Sequence, residues 1–369
     1  MQNSGQSTRT KISVCVFIPD FDYGGAQKQC ILLLNELQRR DDVAVTLIRF
    51  RKGAQDHLLK TEGLRNEFVD VRSNFDVRAI LAVGRLVSAS HADIIMSWVR
   101  VCDVYSYFVR LGHPRLKWVL TQRNSSHPNN LIFRVRDFLG RRADAIAANS
   151  QGGVDWWREK NALGSVHLVD NIAAPPLARS SDRVPRSVLY VGRLEAQKNV
   201  LTMIEALLRV VQAQPDVTIW ICGDGALRAE MEAIVEGAQV AKNVSFLGFR
   251  PNPGEWMAKS TTVVSLSNHE GMPNVLMEAV QAGCRIVASA IAEHTNFLGS
   301  DYPFLVRNHH DADAAAQSIL DALEADVSPN ELDHARGHLA RMAPPAVAAN
   351  YMDIFRDVTA RGAAEARGI

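Results

Sequence analysis

From Lys11 to Pro19 the chain reads KISVCVFIP, a short apolar, β-branched run without helical period, which predicts a buried strand. After DFDYGGAQ, the segment QKQCILLLNELQRR returns apolar residues at helical spacing and ends in a basic turn, which predicts a helix. VAVTLIRF (43–50), ADIIMSW (92–98), KWVLTQ (117–122) and ADAIAANS (143–150) predict further strands, with helical stretches between several of them. Apolar strands alternating with helices indicate βαβ units and a parallel sheet covered on both faces.

The pattern stops at NIAAPPLARSSDRVPRS (171–187), which is rich in Pro, Ser and Arg, and then restarts. SVLYVG, VTIWICG, NVSFLGF, TTVVSLS and CRIVAS read as strands, and NVLTMIEALLRVVQAQ, ALRAEMEAIVEG and NVLMEAVQAG as helices. Two tandem Rossmann-like doubly wound α/β domains, 1–172 and 187–345, are expected on either side of a linker at 173–186. A last helix around PPAVAANYMDIFRDV would cover 346–369. No repeat of 20–50 residues is visible, which argues against a solenoid.

Composition agrees with two packed cores: 369 residues, 47% hydrophobic and 22% charged. Only the ends, MQNSGQSTR and TARGAAEARGI, read as disordered. No run is long and apolar enough for a spanning helix, and the start lacks the pattern of a signal peptide. The five cysteines are scattered and form no C-x-x-C pair, so a reducing, cytoplasmic setting is expected rather than a disulfide framework or a zinc site. The net charge of +1 conceals an asymmetry: residues 1–175 hold 24 basic and 17 acidic side chains. A basic first half suits an acidic substrate, a phosphate-bearing acceptor or an anionic membrane surface, and equally the scatter of two ordinary surfaces.

Ligands of parallel sheets bind beyond the carboxyl ends of the strands, so those ends hold the candidate chemistry. After the first strand, Gly24 and Gly25 precede a helix and allow close backbone approach to a ligand. Neither this loop nor Gly223-Asp224-Gly225 completes G-x-G-x-x-G, because Arg228 stands where the third glycine belongs; a nicotinamide dehydrogenase is disfavoured. After SVLYVG come Arg193, Lys198 and Asn199, the last a candidate N-cap. Two cations near a helix start oppose its dipole unless an anion binds there. After TTVVSLS comes HEGMPNVLMEAV, with Glu270 on the turn and Pro273 and Asn274 opening a helix. Glu278 lies one turn beyond Asn274, on the same face. Two carboxylates so spaced suit the hydroxyls of an extended ligand, although spacing alone also allows a hydrolytic pair.

Together these residues resemble the GT-B glycosyltransferases, specifically the retaining family 4 (glycosyl transferases group 1). The E-x7-E signature falls on Glu270 and Glu278, and the Gly-Arg-Leu…Lys-Asn segment on Gly192, Arg193, Leu194, Lys198 and Asn199. Gly24-Gly25-Ala26, Gly223-Asp224-Gly225 and Phe246-Leu247-Gly248 follow in order. The resemblance is strong over 187–290 and weaker before. It implies two domains facing a central cleft, a last helix (346–369) that crosses back to pack on the first domain, and a nucleotide-sugar donor, UDP-linked by family precedent, on the second domain. It assigns the diphosphate to Arg193 and Lys198, the transferred sugar to Glu270 and the ribose to Glu278. Gly25, Gly223, Gly271, Met272, Pro273 and Asn274 would meet the donor through backbone. Neither a metal nor any other cofactor is implied, and no nucleic-acid partner is expected.

Two segments depart from the family pattern. Where many relatives carry a histidine after a first-domain strand, this chain reads Thr121-Gln122-Arg123-Asn124-Ser125-Ser126-His127. Arg123 and Asn124 are acceptor-side candidates and His127 a surface residue. The usual double glycine after CRIVAS is replaced by Ala290-Ile291-Ala292-Glu293-His294, with Glu293 a candidate for the acidic residue nearby. LIFRVRDFLGRRAD (131–144) reads either as an amphipathic helix on anionic lipid or as a core helix with a basic outer face. The expected activity is hexosyl transfer (EC 2.4 class) to a glycan or lipid-linked acceptor in cell-surface polysaccharide biosynthesis, at the inner face of the membrane. A GT-B-like sugar-nucleotide epimerase or hydrolase, and a non-catalytic binding subunit, are the alternatives.

Overall fold

The computed structural model describes residues 11–72, 76–123, 130–174, 182–326, 328 and 330–367. Asn124 and His127, half of the linker expected at 173–186 and the first ten residues lie outside that set. The chain divides into two compact units, residues 1–172 with 342–369, and residues 173–341.

The first unit runs β1 (Ile12–Phe17), α1 (Gly25–Leu37), β2 (Val43–Arg49), β3 (Arg65–Phe68), α2 (Val77–Ala89), β4 (Ile94–Ser97), α3 (Arg100–Leu111), β5 (Lys117–Gln122), α4 (Leu131–Gly140), β6 (Ala145–Ala148), α5 (Gln151–Glu159) and β7 (Ser165–Leu168). Its seven-stranded sheet has the order β3-β2-β1-β4-β5-β6-β7, all parallel. The apolar runs pair in register, Val14 opposite both Val45 and Ile94. Successive side chains enter cores on opposite faces: Val14 and Val16 join one cluster, Cys15 and Phe17 the other.

The second unit runs β8 (Ser187–Val191), α6 (Val200–Ala213), β9 (Thr218–Cys222), α7 (Arg228–Gly237), β10 (Val244–Gly248), α8 (Pro253–Lys259), β11 (Thr262–Ser265), α9 (Asn274–Ala282), β12 (Arg285–Ser289), α10 (Ala292–Leu298), β13 (Leu305–Val306), α11 (Ala312–Glu324) and α12 (Asp333–Arg341). Its six strands are ordered β10-β9-β8-β11-β12-β13, again parallel. The alternating α/β reading therefore holds in both units, each a doubly wound sheet of the Rossmann type. β3, β7 and β13 were absent from the sequence reading, for a common reason: they are short and lie toward or at a sheet edge. RNEF and SVHL are at most half-buried and carry no apolar run.

The final helix, α13 (Pro344–Arg367), belongs to the first unit. Val347, Ala348, Tyr351, Met352, Ile354, Phe355 and Val358 pack into the core beside α1. The tail TARGAAEARGI is corrected here: the helix continues to Arg367 rather than ending in disorder. Its Ala, Arg and Glu content favours helix, Arg361 pairs with Asp357 one turn back, and a Cβ at Gly362 would fall 2.4 Å from Lys117 Cε.

Candidate active site

In the second unit the strand order reverses at β8. The chain crosses from β8 to β9 on one side, then returns to place β11 on the other. Such a switch point opens a crevice at the carboxyl ends of the two strands. The loop 192–199 leaves β8 there, and the loop 266–273 leaves β11.

The two loops are fastened to each other. Asn268 donates its backbone N–H to Gln197 O at 2.9 Å and its side-chain amide to Ala196 O at 3.0 Å. Gln197 Nε2 donates in return to His269 O at 3.0 Å. This lacing brings Lys198 onto Glu270: the ammonium donates to Glu270 Oε1, which also accepts from Ser267 Oγ at 2.7 Å. Both side chains are largely sheltered, 17% and 12% exposed. Arg193 differs. It is 62% exposed, pairs with Glu195 at 2.8 Å and donates to Gln197 Oε1 at 3.0 Å. One cation is thus held in the pair and the other stands out toward solvent.

Gly223 and Gly225, after β9, lie under the first of these loops. A Cβ on Gly223 would fall 1.8 Å from Gly192 O, and one on Gly225 would fall 2.5 Å from Leu194 O. Leu194 N–H donates to Asp224 O at 2.9 Å across this contact. The glycines are required because backbone meets backbone there.

Asn274, Glu278 and the loop 271–273 follow Glu270 directly into α9, so one segment holds both carboxylates and the start of the helix. Pro273 occupies the N-cap position and Gly283 ends the helix in the left-handed region. Asn199 takes the N-cap position of α6, as expected, but with φ 51° its side chain caps no amide. Its Oδ1 accepts from Thr202 Oγ1 at 2.9 Å and its Nδ2 donates to His309 O at 2.7 Å.

A buried layer behind Glu270 escaped the sequence reading. Ser289 Oγ donates to Ser267 O at 2.6 Å, and His294 Nδ1 lies 2.9 Å from Ser289 O. That carbonyl only accepts, so Nδ1 carries the imidazole proton. Burial pushes the His294 pKa down to about 4, against the pull of Glu270. Its Nε2 has no hydrogen-bond partner among the described residues. The only available signal was a hydroxyl or imidazole just beyond each apolar strand. Glu293, the neighbouring candidate, sits half-buried in the first turn of α10.

A cavity of about 370 Å³ lies at the opposite, amino ends of β8, β11 and β12, near Arg183, Cys284, Arg285 and Glu331. Its guanidinium groups cap helix carbonyls: Arg183 donates to Ala282 O and Gly283 O, and Arg285 to Ala322 O and Ala325 O. That pattern is structural.

In the first unit the corresponding switch point is β1/β4. Gly25 is the first residue of α1, and Gln55 Nε2 donates to Asp22 O at 2.7 Å. Trp98 Nε1 donates to Ala26 O at 2.8 Å, and Val99 beside it has φ 69°, a costly conformation for a β-branched residue. Arg123 lies flat on Trp98, 3.9 Å from a ring centroid, and donates to Asn171 Oδ1 and the Tyr351 hydroxyl. Its guanidinium thereby fastens α13 to the carboxyl end of β5.

Residues 185–325 match the family described as glycosyl transferases group 1. The chain is 23% identical over 324 residues to the lipopolysaccharide core biosynthesis glycosyltransferase LpsE of Rhizobium meliloti, covering 85% of this chain and 90% of that protein. Over 102 residues, 28% of this chain and 27% of the relative, it is 34% identical to a Campylobacter jejuni N-acetylgalactosaminyltransferase acting on a diphospho-undecaprenol acceptor. Among solved structures, Anabaena Alr3699/HepE with UDP and glucose superposes with a TM-score of 0.76 at 18% identity, covering 94% of this chain and 99% of that one. TarM superposes with a TM-score of 0.80 at 11% identity, with the same coverage. At those identities the structures speak for the fold, which is GT-B.

Proposed function

We propose that this chain, a glycosyltransferase with a group 1 domain on a GT-B fold, is a retaining, metal-independent enzyme that moves a sugar from a UDP-sugar to a glycan or lipid-linked acceptor. The product would be a cell-surface polysaccharide or lipopolysaccharide, made at the cytoplasmic face of the membrane. The observation that carries the reading is the Lys198–Glu270 pair at the β8/β11 switch point, joined directly to the start of α9. UDP is supported by the neighbours described as UDP complexes, and the acceptor class by relatives named for lipopolysaccharide and undecaprenol-linked glycans.

Each residue then has a physical task. Negative charge develops on the departing diphosphate, and Lys198 supplies a sheltered positive charge where a metal serves other enzymes. Arg193 adds an exposed fork that can close on phosphate oxygens. The positive end of the α9 dipole would favour the same anion. Glu270 accepts from hydroxyls of the transferred sugar and Glu278 from those of the ribose.

Thermal unfolding with UDP, GDP, ADP and NAD tests the reading. A ligand specific for the folded state adds about 2.7 kcal/mol at a hundredfold excess over its Kd. Selective stabilisation by UDP, lost in Glu278→Ala, is expected; stabilisation by NAD alone would overturn the assignment. With a UDP-sugar, chelator-insensitive transfer with retained anomeric configuration is expected. Donor turnover without acceptor would favour the hydrolase or epimerase, and binding without turnover the non-catalytic subunit.

A further inference from the structure

Helix α4 turns four large apolar side chains outward and a charged pair inward. Its outward side carries Leu131 (74% exposed), Ile132 (62%), Val135 (44%) and Phe138 (56%), whereas the charged pair Arg136 and Asp137 is buried. The rotation follows from what the inner side grips. Arg136 Nε donates to Asp103 Oδ2 at 2.7 Å, and Asp103 Oδ1 accepts from Ser97 Oγ at 2.6 Å. The guanidinium stacks 4.9 Å from the Trp157 ring. Gly140 lets the helix seat closely, since a Cβ there would fall 2.6 Å from Trp157. With positions 136, 137 and 140 turned in, positions 131, 135 and 138 must turn out, because residues three and four apart share a face.

Basic side chains accompany the apolar ones. Arg134 is exposed on the same side, and Arg142, one turn past Phe138, lays its guanidinium 4.2 Å from that ring. Asp137 is the only acidic residue of the helix, and it is buried.

We propose that this outer face of α4 is a docking surface for an anionic lipid bilayer. Leu131, Val135 and Phe138 enter the headgroup boundary while Arg134 and Arg142 reach the phosphates, the arrangement of an interfacial helix lying in the membrane plane. Charge complementarity selects this occupant over a second copy of the chain. A twofold contact would set Arg134 and Arg142 against their own equivalents, with no exposed carboxylate on the helix to offset them. The inference goes beyond the transferase reading and is independent of it, because docking can be measured without donor or acceptor.

Cosedimentation of the full-length protein with vesicles tests it. Binding is expected to vesicles of equal parts phosphatidylglycerol and phosphatidylcholine, to weaken with salt, and to be lost with phosphatidylcholine alone. The double variant Leu131→Ser/Phe138→Ser is expected to bind at least about tenfold more weakly, and Arg134→Gln about fivefold. Both should melt like the parent; should the double variant melt lower, Arg134→Gln decides. Failure of the parent to bind, or undiminished binding by the variants, would overturn the proposal. So would a dimer in sedimentation velocity that the double variant abolishes, in a protein that ignores vesicles.

Discussion

Lys198 donates a hydrogen bond to Glu270, although 72 residues of chain separate them. The pair forms because two adjacent parallel strands end at the same edge and their loops exchange backbone and amide hydrogen bonds. Each side chain neutralises the other within a sheltered loop.

Replacing either member should therefore strike turnover first. Lys198→Ala and Glu270→Gln are each expected to lower kcat by about 100–1000-fold, the range for removing one preorganised donor. Arg193→Ala should cost less, since that side chain is solvated. Steady-state kinetics with a UDP-sugar checks this, and a Glu270→Gln enzyme with unchanged kcat would remove Glu270 from the site.

Gly223 supports the same loop from beneath. Gly223→Ala drives a methyl into Gly192 O, and an unfolding penalty of at least about 1–3 kcal/mol is expected, the usual range for overpacking. Urea denaturation midpoints measure it directly. A neutral substitution would mean that the two loops separate freely.

Arg123 serves the fold in this structure, and its variants should reveal that as lost stability. Arg123→Ala is expected to cost about 2–3 kcal/mol, from a charged hydrogen bond and a stacked guanidinium. A double-mutant cycle with Tyr351→Phe should show coupling of about 0.5–3 kcal/mol. A fall in kcat/KM without destabilisation would instead support Arg123 as an acceptor-side residue.

His294 predicts a pH signature. Its folded pKa of about 4 lies below the ordinary value of 6.5 because burial disfavours the charged ring. Above pH 6.5 the ring is neutral in both states and its contribution is complete. As pH falls toward 4, only the unfolded chain takes up the proton, so stability drops by on the order of 3 kcal/mol. His294→Phe should flatten that part of the profile in denaturation at stepped pH; an unchanged slope would assign it to other groups.

Asp103 and Arg136 form a buried ion pair at 2.7 Å. Asp103→Ala leaves the buried guanidinium with only the longer contact to Asp137 at 3.4 Å, and a loss approaching about 3–5 kcal/mol is expected. Calorimetry compares it with Asp103→Asn, which keeps an acceptor and should lose less.

Much of the architecture was legible in the chain. The central strand β1 is buried on both faces over VCVF, so it shows as an unbroken apolar run without any alignment. Edge strands such as RNEF are half solvated and leave no such trace. At the site, residue types and spacing singled out Arg193, Lys198, Glu270 and Glu278, because cations and carboxylates just beyond apolar runs are conspicuous. The layer of Ser267, Ser289 and His294 was not legible: each is an ordinary residue until the strands bring it behind Glu270.

The division has a physical basis. Periodicity and strand-end chemistry are local, and local order along the chain fixes which elements form and which loops hold charge. Rotation and partnership are not local. Whether LIFRVRDFLG turns its leucines inward depends on Asp103 and Trp157, which lie outside that segment. The pairing of Lys198 with Glu270 likewise depends on β8 and β11 lying side by side. The sequence determined the elements and the candidate groups; only the tertiary structure decided which faced each other, and which side of α4 met the solvent.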